Sequence, residues 1–89
     1  MPSSSRTVSI VNSTGLHARP CGAIVAIAQE YQSSLRIKHA GIEVDGKSIL
    51  QIMTLGASKG SELELQADGD DAEELVQRLH QLISEGFGE

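Results

Sequence analysis

The sequence predicts an α/β fold of the α+β kind, a four-stranded antiparallel sheet with three helices on one face, in the order β-α-β-β-α-β-α. Three observations carry this. Segments of strict alternation, such as Leu35 to His39 and Ser61 to Ala67, leave one sheet face apolar and the other wet, as antiparallel sheets do. Two longer segments switch to helical spacing. The chain has 89 residues and no internal repeat or low-complexity linker, which suits one domain over 1–89 with a single modest core.

Each element has its own signal. Met1 to Arg6 is polar and predicted to fray. Thr7 to Val11 puts Val8 and Ile10 on one face of a strand. Asn12 to Gly15 is turn chemistry. From Ala18 the residues Cys21, Ile24, Val25, Ala28 and Tyr31 recur at helical spacing, with Pro20 in the first turn, where its missing N–H costs no intrahelical bond. This helix is predicted to end near Tyr31. Leu35 to His39 and Ile42 to Asp45 alternate on either side of Ala40-Gly41, a tight hairpin in which Gly41 is free to take positive φ. Ser48-x-x-Gln51 is a capping-box pattern that opens a short helix toward Leu55. Ser61 to Ala67 is a strand with Leu63 and Leu65 inward. Asp70-x-x-Glu73 signals a last helix, striped by Ala72, Leu75, Val76, Leu79, Leu82 and Ile83 and stopped at Gly86.

Composition removes several function classes. The only aromatic residues are Tyr31 and Phe87, so base stacking has no platform, and a net charge of −5 repels a phosphate backbone. Nucleic acid is therefore not an expected partner. No apolar run reaches membrane-spanning length, and no hydrophobic segment follows the N-terminus as a signal peptide would require. The lone Cys21 has no intramolecular disulfide partner. A cytoplasmic protein without membrane insertion is expected.

The stretch Thr14-Gly15-Leu16-His17-Ala18-Arg19-Pro20 carries the chemistry. If Ala18 starts the helix, His17 is its N-cap, a position where Ser, Asp, Asn and Thr are the usual choices. A solvated turn histidine is one reading. The other uses the helix end itself, where unpaired N–H groups and the positive end of the macrodipole stabilise an anion and favour a neutral, nucleophilic ring. Arg19 can fork onto phosphate oxygens from the same turn, and Gly15 keeps the approach open. The set suits a histidine that accepts a phosphoryl group and then gives it up. No P-loop and no acidic metal-ligand set accompanies it, so no nucleotide, metal or other cofactor is expected, and donor and acceptor must be other proteins.

Gly15-Leu16-His17-Ala18-Arg19-Pro20 resembles the active-site motif of the HPr family, the histidine-containing phosphocarriers of the bacterial phosphoenolpyruvate-dependent phosphotransferase system. Gly46-Lys47-Ser48-Ile49-Leu50 with Met53-Thr54-Leu55-Gly56 resembles that family's second motif, around a regulatory serine. The likeness runs from about Thr7 to Ile83, and the order of elements agrees with the family's open-faced β-sandwich. It implies that His17 is phosphorylated on Nδ1 by Enzyme I and passes the group to IIA domains, with Arg19 steadying the phosphate. It implies Ser48 as a target of HPr kinase/phosphorylase, and an exposed apolar docking ring of Ala18, Cys21, Ile49, Leu50 and Met53. A carrier that docks with several proteins has reason to be a monomer. The chain departs from the pattern at Cys21, where alanine is common, and at Gln51, where many kinase-regulated relatives have glycine.

Other readings remain beside these. Ser48 is equally explained as an ordinary N-cap, and for Ile52 and Leu55 core packing is preferred. Cys21 follows His17 by four residues, a spacing seen in metal sites, but lacks further ligands; a helix N-terminus could also lower its thiol pKa and sensitise it to oxidation. His39 and His80 carry no motif, and the acidic run from Asp68 to Glu74 lacks calcium-loop spacing. In function, the alternative to sugar-system relay is an HPr-like regulatory protein of nitrogen or carbon-catabolite control, whose phosphorylation state governs partner binding. A split-βαβ ligand-binding module fits the element order but leaves Gly15 to Pro20 unexplained.

Overall fold

The computed structural model describes residues 2–89. Its elements are β1 (Ser3–Ser9), α1 (Ala18–Ala28), β2 (Ser34–His39), β3 (Ile42–Asp45), α2 (Ile49–Met53), β4 (Glu62–Asp68) and α3 (Ala72–Ser84), followed by a short 3-10 turn, Gly86–Gly88. The four strands form one sheet in the order β1-β4-β2-β3 with every neighbouring pair antiparallel. Val8, Leu63, Leu65, Ile37 and Val44 stand in register on one face and are buried, while Thr7, Ser9, Glu62, Glu64 and Arg36 face solvent. The buried face meets Ile24, Val25 and Ala28 of α1, Ile52 of α2 and Leu75, Val76, Leu79 and Ile83 of α3 in one core. With so few rings, the core depends on aliphatic side chains, each fully buried Leu or Ile stabilising by about 1.5–3 kcal/mol.

Element types and order agree with the sequence pattern, and the differences lie at the ends. The polar start is not frayed from residue 3 onward: Ser3 to Arg6 pair with Asp68 to Leu65. Backbone ladder bonds need no apolar side chain, so side-chain hydropathy carries no trace of them. α1 stops at Ala28, and Tyr31 N–H bonds the Ala28 carbonyl three residues back in a tightened last turn. Tyr31 stays buried, its hydroxyl donating to Glu74 at 2.7 Å. In the β2–β3 turn both Ala40 (φ 51°) and Gly41 (φ 82°) are left-handed, the geometry of a type I′ hairpin.

The last helix is capped by Asp71 rather than Asp70, and the Asp71 side chain does not cap it. Its carboxylate turns to the loop after α1, accepting from the Ser33 hydroxyl and from the backbone N–H groups of Gln32 (2.9 Å) and Ser33 (3.0 Å). Those donors, the Ser33 hydroxyl foremost, hold the Asp71 carboxyl below its ordinary value. A depressed folded-state pKa stabilises the fold above the ordinary aspartate range and loses that contribution as pH falls through the folded value. Asp71→Asn is therefore expected to lower Tm at neutral pH and to flatten the acid limb of the Tm–pH curve. An unchanged acid limb in thermal melts would contradict this.

Candidate functional site

The loop between β1 and α1 is held from two sides. Gly15 N–H bonds the Asn12 carbonyl at 3.2 Å, and Leu16 N–H bonds the Ala57 carbonyl of the loop after α2 at 3.1 Å. Gly15 has φ +66°, and a Cβ there would sit 2.8 Å from the Ala57 oxygen. Only glycine fits this close approach. The tie sets His17 at the N-cap of α1 with extended backbone (φ −85°, ψ −173°). Its carbonyl takes the first helical bond, from Cys21 N–H, while its exposed ring makes no capping bond. The first-turn N–H groups of Ala18 and Arg19 have no acceptor within the helix, so the positive end of α1 lies beside the imidazole.

The ring is not without a partner. His17 Nε2 lies 3.1 Å from Glu89 Oε2. The other oxygen, Glu89 Oε1, accepts from Thr14 Oγ1 at 2.7 Å and from Asn12 Nδ2 at 3.3 Å. Asn12 is buried, and its Nδ2 also donates to the Gly15 carbonyl at 2.9 Å. The Thr14 hydroxyl, then His17 and Asn12, hold the Glu89 carboxyl below its ordinary value. Sequence reasoning missed Glu89 altogether, because no motif or spacing connects positions 17 and 89. Asn12 was legible only as a turn residue.

Arg19 is exposed in the first turn of α1 and pairs with no carboxylate among the described residues. It is available to an incoming anion. Cys21 corrects the expectation placed on it. It is fully buried, with its thiol directed at the Leu16 carbonyl at 3.7 Å, and so is no part of an exposed docking ring. The resemblance put Cys21 in that ring; its separate i,i+4 spacing from His17 does not set the two side chains on one helix face either, because His17 is an extended cap. Burial pushes the Cys21 thiol up, against the lowered value that oxidation sensitivity needs. No cluster of three metal-ligating side chains occurs among the described residues. His39 Nδ1 lies 3.1 Å from the Glu62 carbonyl and His80 is half-buried on α3; among the described residues neither belongs to a cluster of three metal-ligating side chains.

α1 packs on α2, the element that carries the second motif. Ser48 is the N-cap of α2, its Oγ accepting from Gln51 N–H at 3.3 Å. The capping box is only half formed, since Gln51 Oε1 reaches past Ser48 to the Asp45 N–H at 3.0 Å. Lys47 is occupied structurally, its ammonium donating to the Tyr31 carbonyl at 2.9 Å. Ile52 and Leu55 are buried in the core, whereas Ile49, Leu50 and Met53 remain 39%, 78% and 41% exposed. Ala18 is also exposed. Four of the five expected docking residues therefore lie on the surface.

A family profile described as the PTS HPr component phosphorylation site matches residues 4–85. The chain belongs to the HPr family. It is 38% identical over 84 residues to the phosphocarrier protein HPr of Cupriavidus necator, an alignment covering 94% of both chains. The structure of HPr-C-His from Thermoanaerobacter tengcongensis superposes with a TM-score of 0.92 at 42% identity over 97% of each chain. An HPr dimer from the same organism matches with a TM-score of 0.77 at 43% identity, covering 92% of this chain and 94% of that one. The open-faced sandwich expected from the sequence is thus the HPr fold. No helix among the described residues is long and apolar enough to cross a membrane.

Proposed function

We propose that this HPr-family phosphocarrier takes a phosphoryl group from phosphorylated Enzyme I onto Nδ1 of His17 and hands it to IIA domains in the cytoplasm. The observation that supports this reading is an exposed imidazole at the N-cap of α1 that spends nothing on capping. The Nδ1 lone pair attacks phosphorus while the donor's P–N bond breaks and its electron pair returns to the donor. Open N–H groups of the first turn and the exposed Arg19 guanidinium stabilise the transferring oxygens. The acceptor step is the same displacement with the roles exchanged.

Ser48 is the site for regulation by HPr kinase/phosphorylase, and Ala18, Ile49, Leu50 and Met53 are the docking surface. A phosphate on Ser48 stays at the N-terminus of α2, so it leaves the helix intact and places about −1.5 to −2 charges beside that surface. Ser48→Asp is expected to slow phosphorylation by Enzyme I about tenfold through like-charge repulsion at docking. Wild-type rates for the variant in a stopped-assay time course would remove Ser48 from the regulatory role.

The relay itself is tested by a chase. Protein labelled through Enzyme I and phosphoenolpyruvate is mixed with a purified IIA domain, and the label is expected to move to the IIA domain as monomeric carrier is regenerated. Label that stays on the carrier, while the phosphorylated form retains a regulatory partner in a pull-down, favours the regulatory reading instead.

A further inference from the structure

We propose that Glu89 is a positioning residue that holds His17 by Nε2 and thereby makes Nδ1 the nucleophilic nitrogen. The inference deepens the reading above and rests on His17 being the phosphoryl acceptor. Exposed ion pairs often contribute nothing, because two mobile side chains must be ordered to form them. Glu89 differs in that its second oxygen is already held by two donors from the loop carrying His17, Thr14 Oγ1 at 2.7 Å and Asn12 Nδ2 at 3.3 Å. The chain leading to it is also fixed, with Gly86 buried, Phe87 packed on the core and Glu89 N–H bonded to the Gly86 carbonyl at 3.0 Å.

The chemistry follows from donor and acceptor capacity. An ionised carboxylate only accepts, so the ring nitrogen 3.1 Å from it must donate. A neutral imidazole with its proton on Nε2 has its lone pair on Nδ1. On phosphorylation the Nδ1–P bond forms, the donor's P–N bond breaks, and the Nε2 proton stays in place. The ring then carries a positive charge, which the Glu89 carboxylate faces. When the group leaves, the P–N electron pair returns to Nδ1 and the ring is again neutral with Nε2 protonated. No proton has to move in either direction.

The geometry makes an unusual prediction for the conservative variant. Asn12 Nδ2 has two protons, one on the Gly15 carbonyl and the other shared between Thr14 Oγ1 at 3.1 Å and Glu89 Oε1 at 3.3 Å, which leaves the Thr14 hydroxyl to donate to Oε1 at 2.7 Å. In Glu89→Gln the amide carbonyl is therefore expected to face these donors, which points the NH2 group at His17 Nε2. That nitrogen must then accept, and the proton moves to Nδ1.

Nitrogen NMR of the unphosphorylated protein at about pH 9, where imidazole is neutral, reads the tautomer directly. Wild type is expected to be Nε2-protonated, Glu89→Ala a mixture, and Glu89→Gln predominantly Nδ1-protonated. Initial rates of phosphorylation by Enzyme I should fall in the same order, with Glu89→Gln about tenfold below wild type, a factor one hydrogen bond can supply. A Glu89→Gln protein that keeps the wild-type tautomer overturns the proposal, as does a tautomer change that leaves the rate untouched. If wild type shows the expected tautomer but accepts no phosphate, the phosphocarrier reading fails and the tautomer assignment stands.

Discussion

Replacing His17 with alanine is expected to abolish phosphoryl acceptance from Enzyme I, to the background of a protein without the site, while Tm shifts by no more than a few degrees. The ring is exposed and makes no capping bond, so its removal takes little from the fold. Its contact with Glu89 lies at the surface, where a single pair contributes little. The chemical loss is complete because no second imidazole or thiol among the described residues reaches the site, and the Thr14 hydroxyl spends its proton on Glu89. Cys21 is buried with its thiol turned to the Leu16 carbonyl, and Ser48 is the cap of a different helix. Labelling with phosphoenolpyruvate and Enzyme I beside a thermal melt separates the two effects. Residual labelling of a folded His17→Ala protein would place the acceptor elsewhere.

The second large effect is at Gly15, where fold and site share one residue. A methyl group there meets the Ala57 carbonyl oxygen at 2.8 Å and the Ser58 Cα at 3.0 Å, in a backbone already at φ +66°. Gly15→Ala must push the β1–α1 loop from the loop after α2 and strain the Leu16 N–H to Ala57 carbonyl bond. A cost of about 1–3 kcal/mol is expected from the left-handed backbone and the clash together. Phosphoryl acceptance should fall with it, since the same loop carries Thr14, Asn12 and His17. Gly22 is the contrast: it lies within α1 with no atom within 4 Å of a Cβ added there, and Gly22→Ala should stabilise by about 0.5–1 kcal/mol. Denaturant titration of the two variants checks both signs. Equal effects would mean that loop contact with Ala57 does not constrain the site.

The fold was legible wherever one sheet face or helix stripe is buried by tertiary packing. Leu63 and Leu65 in β4, and Leu75, Val76, Leu79 and Ile83 in α3, alternate or recur at the period their burial requires. Legibility ended where the stabilising term leaves no hydrophobic trace. Ser3 to Arg6 join the sheet through backbone bonds alone, and Asp71 spends its carboxylate across the loop on Ser33 rather than on its own helix. The site divides in the same way. His17, Arg19 and Ser48 belong to local motifs, and local structure sets them at or just inside the starts of α1 and α2. Cys21 was placed in the docking ring by resemblance alone, whereas its small apolar side chain packs fully into the core. Glu89 reaches His17 only through the chain's turn at Gly86–Gly88, where Phe87 takes φ 59°, a geometry no pattern of residue types announces.

The central claim is a covalent one, that Nδ1 of His17 carries the transferring phosphoryl group. Its most direct test is to phosphorylate the wild-type protein with Enzyme I and phosphoenolpyruvate and to locate the group by nitrogen and phosphorus NMR, with acid and base stability alongside. The expected result is an acid-labile, base-stable linkage to Nδ1 of His17. An acid-stable ester on Ser48, a linkage to Nε2, or no incorporation from an Enzyme I that labels a known HPr would contradict it.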